Sequence, residues 1–249
     1  MSSIPHTPVK KNTKARYTEV FPSILLILTA LILQVSPLQA QQKQSGDFVP
    51  PPGGAPRKTI GAGTRTDESA CLGSSTATPG EITLFSPSSY IGLTTSDRPT
   101  FLFQLPPTKA KTLELSLFDE KMQSLYQTIV PTVNSPSGII ALKLPETAPS
   151  LQSKKIYYWA VAIICNPSDR TEDLSKSAAI EYTEPSAELK KLLAKATPIQ
   201  QIDLYAKNGF WYESITRLFE LQQTEPKSPG LNQAWVDSLK SVGIDIPKP

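Results

Sequence analysis

Leu113, Leu115 and Leu117 alternate with Thr112, Glu114 and Ser116. A run of period two is a strand with one buried and one wet face. Short segments of this kind, rich in β-branched and aromatic residues, recur over 81–85, 99–105, 112–118, 124–130, 138–144, 155–165 and 178–182. Asp97-Arg98-Pro99, Asn134-Ser135-Pro136 and Asn166-Pro167 supply turns between them. Strands at this spacing predict an immunoglobulin-like or fibronectin-like antiparallel β-sandwich over 71–184, with Trp159 of the longest run in its core.

From Pro185 the period changes from two to 3.6, which predicts a helical appendage over 185–249. Leu189, Leu192 and Leu193 form one stripe, and Ile199, Ile202 and Tyr205 the next. Thr197-Pro198 starts a helix well, a capping hydroxyl followed by a residue whose missing N–H costs nothing there. Asn208-Gly209 then breaks the chain before a helix carrying Trp211, Ile215, Leu218 and Phe219 on one face; a last helix, about 231–242, aligns Leu231, Trp235, Leu239 and Val242. The stretch from Leu204 to Ser228 looks like the middle of a single tetratricopeptide repeat. Stacked repeats need about three units to bury their faces, so a lone unit is expected to dock on the sandwich. Phe210, Trp211 and Tyr212 have two readings, as core and as the candidate interaction surface.

The start of the chain has the three-part layout that export machinery reads. Lys10, Lys11, Lys14 and Arg16 precede an apolar run from Phe21 to Val35, followed by Ser-Pro-Leu-Gln-Ala. The run is about 15 residues, short of the roughly 20 that cross a bilayer as a helix. A signal peptide over 1–40, cleaved after Ala40, is expected, with retention as an anchor the alternative. The protein then works in the periplasm or outside the cell. Residues 41–70, rich in Pro, Gly and polar side chains, are expected to be a flexible tether.

Removing that segment changes what chemistry is open to the chain. Its first forty residues hold four of the 25 Lys and Arg and one of the 22 Asp and Glu, so residues 41–249 hold 21 of each. A neutral chain lacks the basic footprint of a nucleic-acid binder. The single histidine, His6, leaves with the signal, and with it Ser-His-Asp and Cys-His catalysis and His-ligated zinc or haem. Cys71 and Cys165, an even pair in an oxidising compartment, are expected to form a disulfide; two unpaired thiols are the alternative.

Gly61-Ala62-Gly63 lacks the third glycine of a dinucleotide fingerprint and the strand before it. The tether's glycines, with Arg57, Lys58 and Arg65, offer backbone N–H groups to an anion, against the plainer reading of a solvated linker. Asp119/Glu120 and Glu172/Asp173 are the remaining catalytic resource, and hydrolysis would need two carboxyl groups facing each other across a cleft. No cofactor or metal is expected.

The order of parts, GGAPRKTIGAGTR followed by Cys71, then LTTSDRPTFLFQLP, then the strand ending in Cys165 and the helix NGFWYESITRLFEL, resembles the exported cyanobacterial proteins of the domain of unknown function 928 family. The resemblance runs from about Gly53 to the last helix. It implies cyanobacterial origin, an envelope location and no established activity. It also marks Gly61 to Arg65 and the cysteine pair as family features, and so implies that the tether is ordered against the domain, through Arg65. The resulting expectation is a non-catalytic envelope protein that binds another protein. Recognition of a glycan or small ligand on the sandwich is the runner-up, and a carboxylate-based hydrolase the third reading.

Overall fold

The computed structural model describes residues 48–51, 81–132, 138–228 and 230–245. Two sheets carry the first half of this region. β1 (Thr83–Leu84), β3 (Thr100–Gln104) and β6 (Ile139–Lys143) form one, in the order β1-β3-β6. β2 (Gly92–Thr94), β4 (Thr112–Phe118), β5 (Ser124–Pro131), β7 (Ile156–Ile163) and β8 (Leu174–Tyr182) form the other, in the order β2-β8-β7-β4-β5. Leu113, Leu115 and Leu117 of β4 are buried against β7 and the facing sheet as their period requires, but the other face is not wet: Glu114 and Ser116 are buried as well, with the Ser116 hydroxyl donating to Glu114 and Arg170 paired with it. Phe101 of β3 stacks on Trp159 of β7, ring centroids 4.5 Å apart, and joins the two sheets at their centre.

One expectation needs correcting. The sandwich is not wholly antiparallel, because β2 runs parallel to β8, Gly92 beside Ile180 and Thr94 beside Tyr182. Three residues are too few to show a period in sequence, and only the return of the chain from β8 creates the pairing.

Four helices follow among the described residues: α1 (Ala187–Leu193), α2 (Pro198–Lys207), α3 (Trp211–Thr224) and α4 (Leu231–Ser241). Thr197 caps α2 in a reciprocal box with Gln200, each side chain bonding the other's backbone N–H. Gly209, at φ +77°, makes the turn into α3 with a backbone that a side chain would strain. Leu189 of α1, Tyr205 of α2 and Phe210 make a small cluster of their own beside Leu93, while α3 and α4 share the core of the sheets. Trp211, Tyr212, Ile215 and Leu218 of α3 and Trp235 and Leu239 of α4 are buried in the same cluster as Phe101, Trp159 and Ile180 of the sheets.

Of the segment expected to be a tether, Phe48–Pro51 is docked: the Val49 N–H bonds the Ala206 carbonyl at 3.1 Å, and Phe48 stacks on Tyr90 and meets Trp211 edge-on. Phe48 is the apolar side chain that the composition of the stretch conceals. Its remaining residues from 52 on, the signal segment, Arg65 and Cys71 lie outside the described residues.

Candidate functional site

Phe210, Trp211 and Tyr212 lie at the start of α3, and the core reading holds for each of them. They are 5%, 1% and 2% exposed, so none offers a surface to a partner. Trp and Tyr carry a polar tip that burial obliges them to satisfy. The Trp211 indole N–H donates to the Phe85 carbonyl at 2.8 Å. The Tyr212 hydroxyl accepts the Trp159 N–H at 2.8 Å and lies 2.9 Å from the Ser86 hydroxyl and 3.3 Å from the Ala179 carbonyl. Its burial pushes the phenol pKa far up, so this hydroxyl keeps its proton.

The next residue, Glu213, carries no signal of its own in the sequence. Its Oε1 accepts from the Thr94 hydroxyl at 2.6 Å and the Thr95 N–H at 2.8 Å, which ties α3 to the end of β2. Its Oε2 is sealed from solvent without a hydrogen-bond partner. Desolvation raises its pKa, and the bonds from Thr94 and Thr95 only partly offset the rise. Trp211, Tyr212 and Glu213 therefore fasten α3 to the sandwich, while Phe210 packs edge-on against Tyr205 of α2 beside Leu189 of α1. Their signal, an aromatic run opening a helix, is the same for a rivet as for a binding patch.

The paired carboxylates are likewise occupied. Asp119 Oδ1 accepts from the Lys121 and Gln123 N–H groups and shapes the β4–β5 turn, while Glu120 accepts from the Ile156 N–H. Asp173 accepts from the Cys165 N–H and from Arg170, which also bonds Glu114 at 3.0 Å. Glu172 belongs to the single 3-10 turn Arg170–Glu172. Each pair is engaged at a turn, and Asp119 and Glu120 also line the groove beside the β4–β5 turn. Among the described residues no group of His, Cys, Asp and Glu is placed to hold a metal ion.

What the fold leaves outside is more informative. Val49, Leu125, Ile129, Leu192 and Ile199 are the large apolar side chains left exposed among the described residues. Leu192 and Ile199 flank the turn between α1 and α2. Leu125 and Ile129 share the outward face of β5, the end strand of the five-stranded sheet, which pairs among the described residues with β4 alone. Two grooves lie on the surface of the described residues. One of about 350 Å³ runs over β1 and β8, with Tyr158, the ion-paired Glu81 and Lys176, and Asp245 on its walls. The other, about 420 Å³, lies beside the β4–β5 turn, where Leu125 meets Glu120, Lys155 and Tyr157.

No curated protein matches the chain. Among solved structures it is similar to the fn3 domain of the human collagen alpha-1(XX) chain, at 10% identity over 46% of this chain and 90% of that one, with a TM-score of 0.27. It is also similar to beta-glucuronidase 3 of Bacteroides uniformis, at 12% identity over 41% of this chain and 12% of that one, with a TM-score of 0.25. Residues 60–247, which include both sheets and all four helices, match a family model, and the chain accordingly belongs to the family described as Domain of Unknown Function (DUF928).

Proposed function

We propose that this protein is an exported, non-catalytic interaction module of the cell envelope, and that it binds other protein through the open edge of β5. The single observation that carries the reading is that edge: eight residues, Ser124–Pro131, without one charged side chain, with Leu125 and Ile129 turned outward at 40% and 59% exposure. The unpaired N–H and C=O groups of such an edge template pairing with another strand; here the regular stretch runs from Tyr126 to Val130, between the register shift at Leu125 and Pro131, which has no N–H. Within this reading the sandwich is of the fibronectin kind. The pair α2–α3, joined by Asn208-Gly209 and by the Ser214 hydroxyl on the Ile202 carbonyl, is a tetratricopeptide-like hairpin docked on it. The experiment is a pull-down from envelope extract with the secreted, oxidised protein and its Ile129→Lys variant, both checked for folding. A partner captured by the first and lost from the second supports the module; equal capture by both removes β5 from it.

A second reading is recognition of a glycan or other small ligand in the groove over β1 and β8, where the Tyr158 ring lies with the carboxylates Glu81 and Asp245. Retention on polysaccharide without any protein partner would put this reading first.

A further inference from the structure

We infer that the notch between Tyr90, Gly209 and Trp211 is a binding slot for an extended peptide of the form Phe-x-Pro-Pro, and that residues 48–51 of this chain fill it as an intramolecular competitor. The slot shares no residue with the β5 edge.

The slot is built from the family domain and its occupant is not. Tyr90 stands in the connection from β1 to β2, Ala206 in the last turn of α2, and Gly209 and Trp211 at the turn into α3. All four lie within the family match over 60–247, and residues 48–51 lie before it. The bond from the Trp211 indole to the Phe85 carbonyl anchors that ring from the side of the sheets, without help from the segment that covers it.

Residues 48–51 meet the slot as a bound peptide would. The Phe48 ring lies flat on Tyr90, centroids 5.6 Å apart, and edge-on to Trp211 at 5.1 Å. The Val49 N–H donates at 3.1 Å to the Ala206 carbonyl, one of those that a helix end leaves to outside donors. Pro51 lies over Gly209, its Cβ and Cδ 3.4 Å from where a side chain would begin. An aromatic plug, one main-chain bond and prolines that hold the extended form at little entropic cost are the parts of proline-rich recognition.

The fit favours exchange over permanence. Val49 and Pro50 are exposed, so the segment is held chiefly by one ring. Under that ring Tyr90 is 6% exposed, and its hydroxyl is sealed without a hydrogen-bond partner, a cost that water would relieve once the slot opens. A segment tethered to its own site competes at an effective concentration of about millimolar, the threshold that an incoming peptide must exceed.

Phe48→Ala and Val49→Pro weaken the occupant without altering a residue that lines the slot. The probe is a synthetic peptide of residues 45–52, Ser-Gly-Asp-Phe-Val-Pro-Pro-Pro, beside the same peptide with Ala in place of Phe. The readout is the indole N–H signals of Trp159, Trp211 and Trp235 in nuclear magnetic resonance spectra of the full, oxidised chain. In Phe48→Ala the Trp211 signal should shift while the other two stay. The peptide, at about 1 mM, should return it toward its wild-type position, and the Ala peptide should not. The wild type should respond about ten-fold more weakly, with Val49→Pro between the two. A Trp211 signal unmoved by Phe48→Ala overturns the inference, as does a Phe48→Ala chain that does not respond to the peptide. Equal response to both peptides, or equal response of wild type and Phe48→Ala, overturns it too. Loss of folding in Phe48→Ala would make the segment a part of the core and reject the slot.

Discussion

Trp159 and Tyr212 meet tip to tip across 53 positions of chain, the indole N–H donating to the phenol oxygen at 2.8 Å. Trp159 belongs to the five-stranded sheet, and Ser86, on the other side of the same oxygen, lies just after β1 of the three-stranded one. A single hydroxyl on α3 thus joins both sheets and the helices, and the stability of each depends on the others.

Tyr212→Phe keeps the ring and removes that junction. The buried Trp159 N–H is left without its acceptor, which costs about 1–3 kcal/mol. Urea unfolding followed by tryptophan fluorescence and by far-ultraviolet circular dichroism should show the midpoint fall by that amount. The two signals should stay coincident, because sheets and helices share one core. Separate transitions would mean that the helices are an independent unit after all.

Gly92 is required by the same ring. A Cβ at this position would stand 2.8 Å from Tyr212 Cε2, closer than carbon atoms pack, with Pro87 at 3.4 Å on its other side. Gly92→Ala should destabilise the protein by about 1–3 kcal/mol through overpacking. Combined with Tyr212→Ala, which empties the space, the Gly92→Ala cost should largely vanish in a double-mutant cycle.

The strands were legible because burial writes a period into them. β4 has the bounds its leucines mark, while β8 begins at Leu174, four residues before its apolar run, since Ser175 and Ser177 carry no strand signal. The capped start of α2 was legible for a local reason, a hydroxyl and a proline side by side. What stayed hidden is all long-range. Nothing beside Tyr212 names Ser86, 126 residues away, and nothing in the three residues of β2 names β8. The exposure of Leu125 and Ile129 was concealed for the opposite reason. The run 124–130 reads as any strand does, and only the strand order places it at an edge with one face uncovered.

Glu213 should make stability fall as pH rises. Its folded pKa is raised above the ordinary 4.5, so the stability it contributes is fully present below that value and is lost as pH climbs through the folded one. Glu114 works in the opposite sense and in a different window. Burial pushes its pKa up, but hydrogen bonds from Gln127, Arg170 and Ser116 and the charge of Arg170 bring it below 4.5, so its contribution is lost as pH drops under that value. Glu213→Gln, which keeps an oxygen for Thr94 and Thr95 and cannot ionise, should flatten the profile above pH 4.5 and leave the acid limb unchanged. Thermal melts across a pH series check both limbs.

The expected pairing of Cys71 with Cys165 predicts that the chain, made in an oxidising compartment, has no titratable thiol until it is denatured and reduced. It also predicts that reduction lowers stability. A bridge closing a loop of about 94 residues is worth some 4–5 kcal/mol in the chain-entropy account and less where the native geometry is strained. Thiol counting before and after reduction, with urea melts of both forms, measures each part. Two free thiols in the untreated secreted protein would reject the bridge.

The span between Ser86 and Tyr212 bears on how the chain reaches this fold. Synthesis delivers residues in order, so both sheets emerge while the phenol, Trp211 and Trp235 that complete their core are still to come. Contacts of such sequence separation slow folding, since the intervening chain must be closed before they form. Until α3 arrives, Phe101, Trp159 and the uncharged β5 strand are together exposed to neighbours, the condition in which strands join the wrong partner. A newly made chain therefore depends on being held apart from its copies for as long as its last helices take to appear.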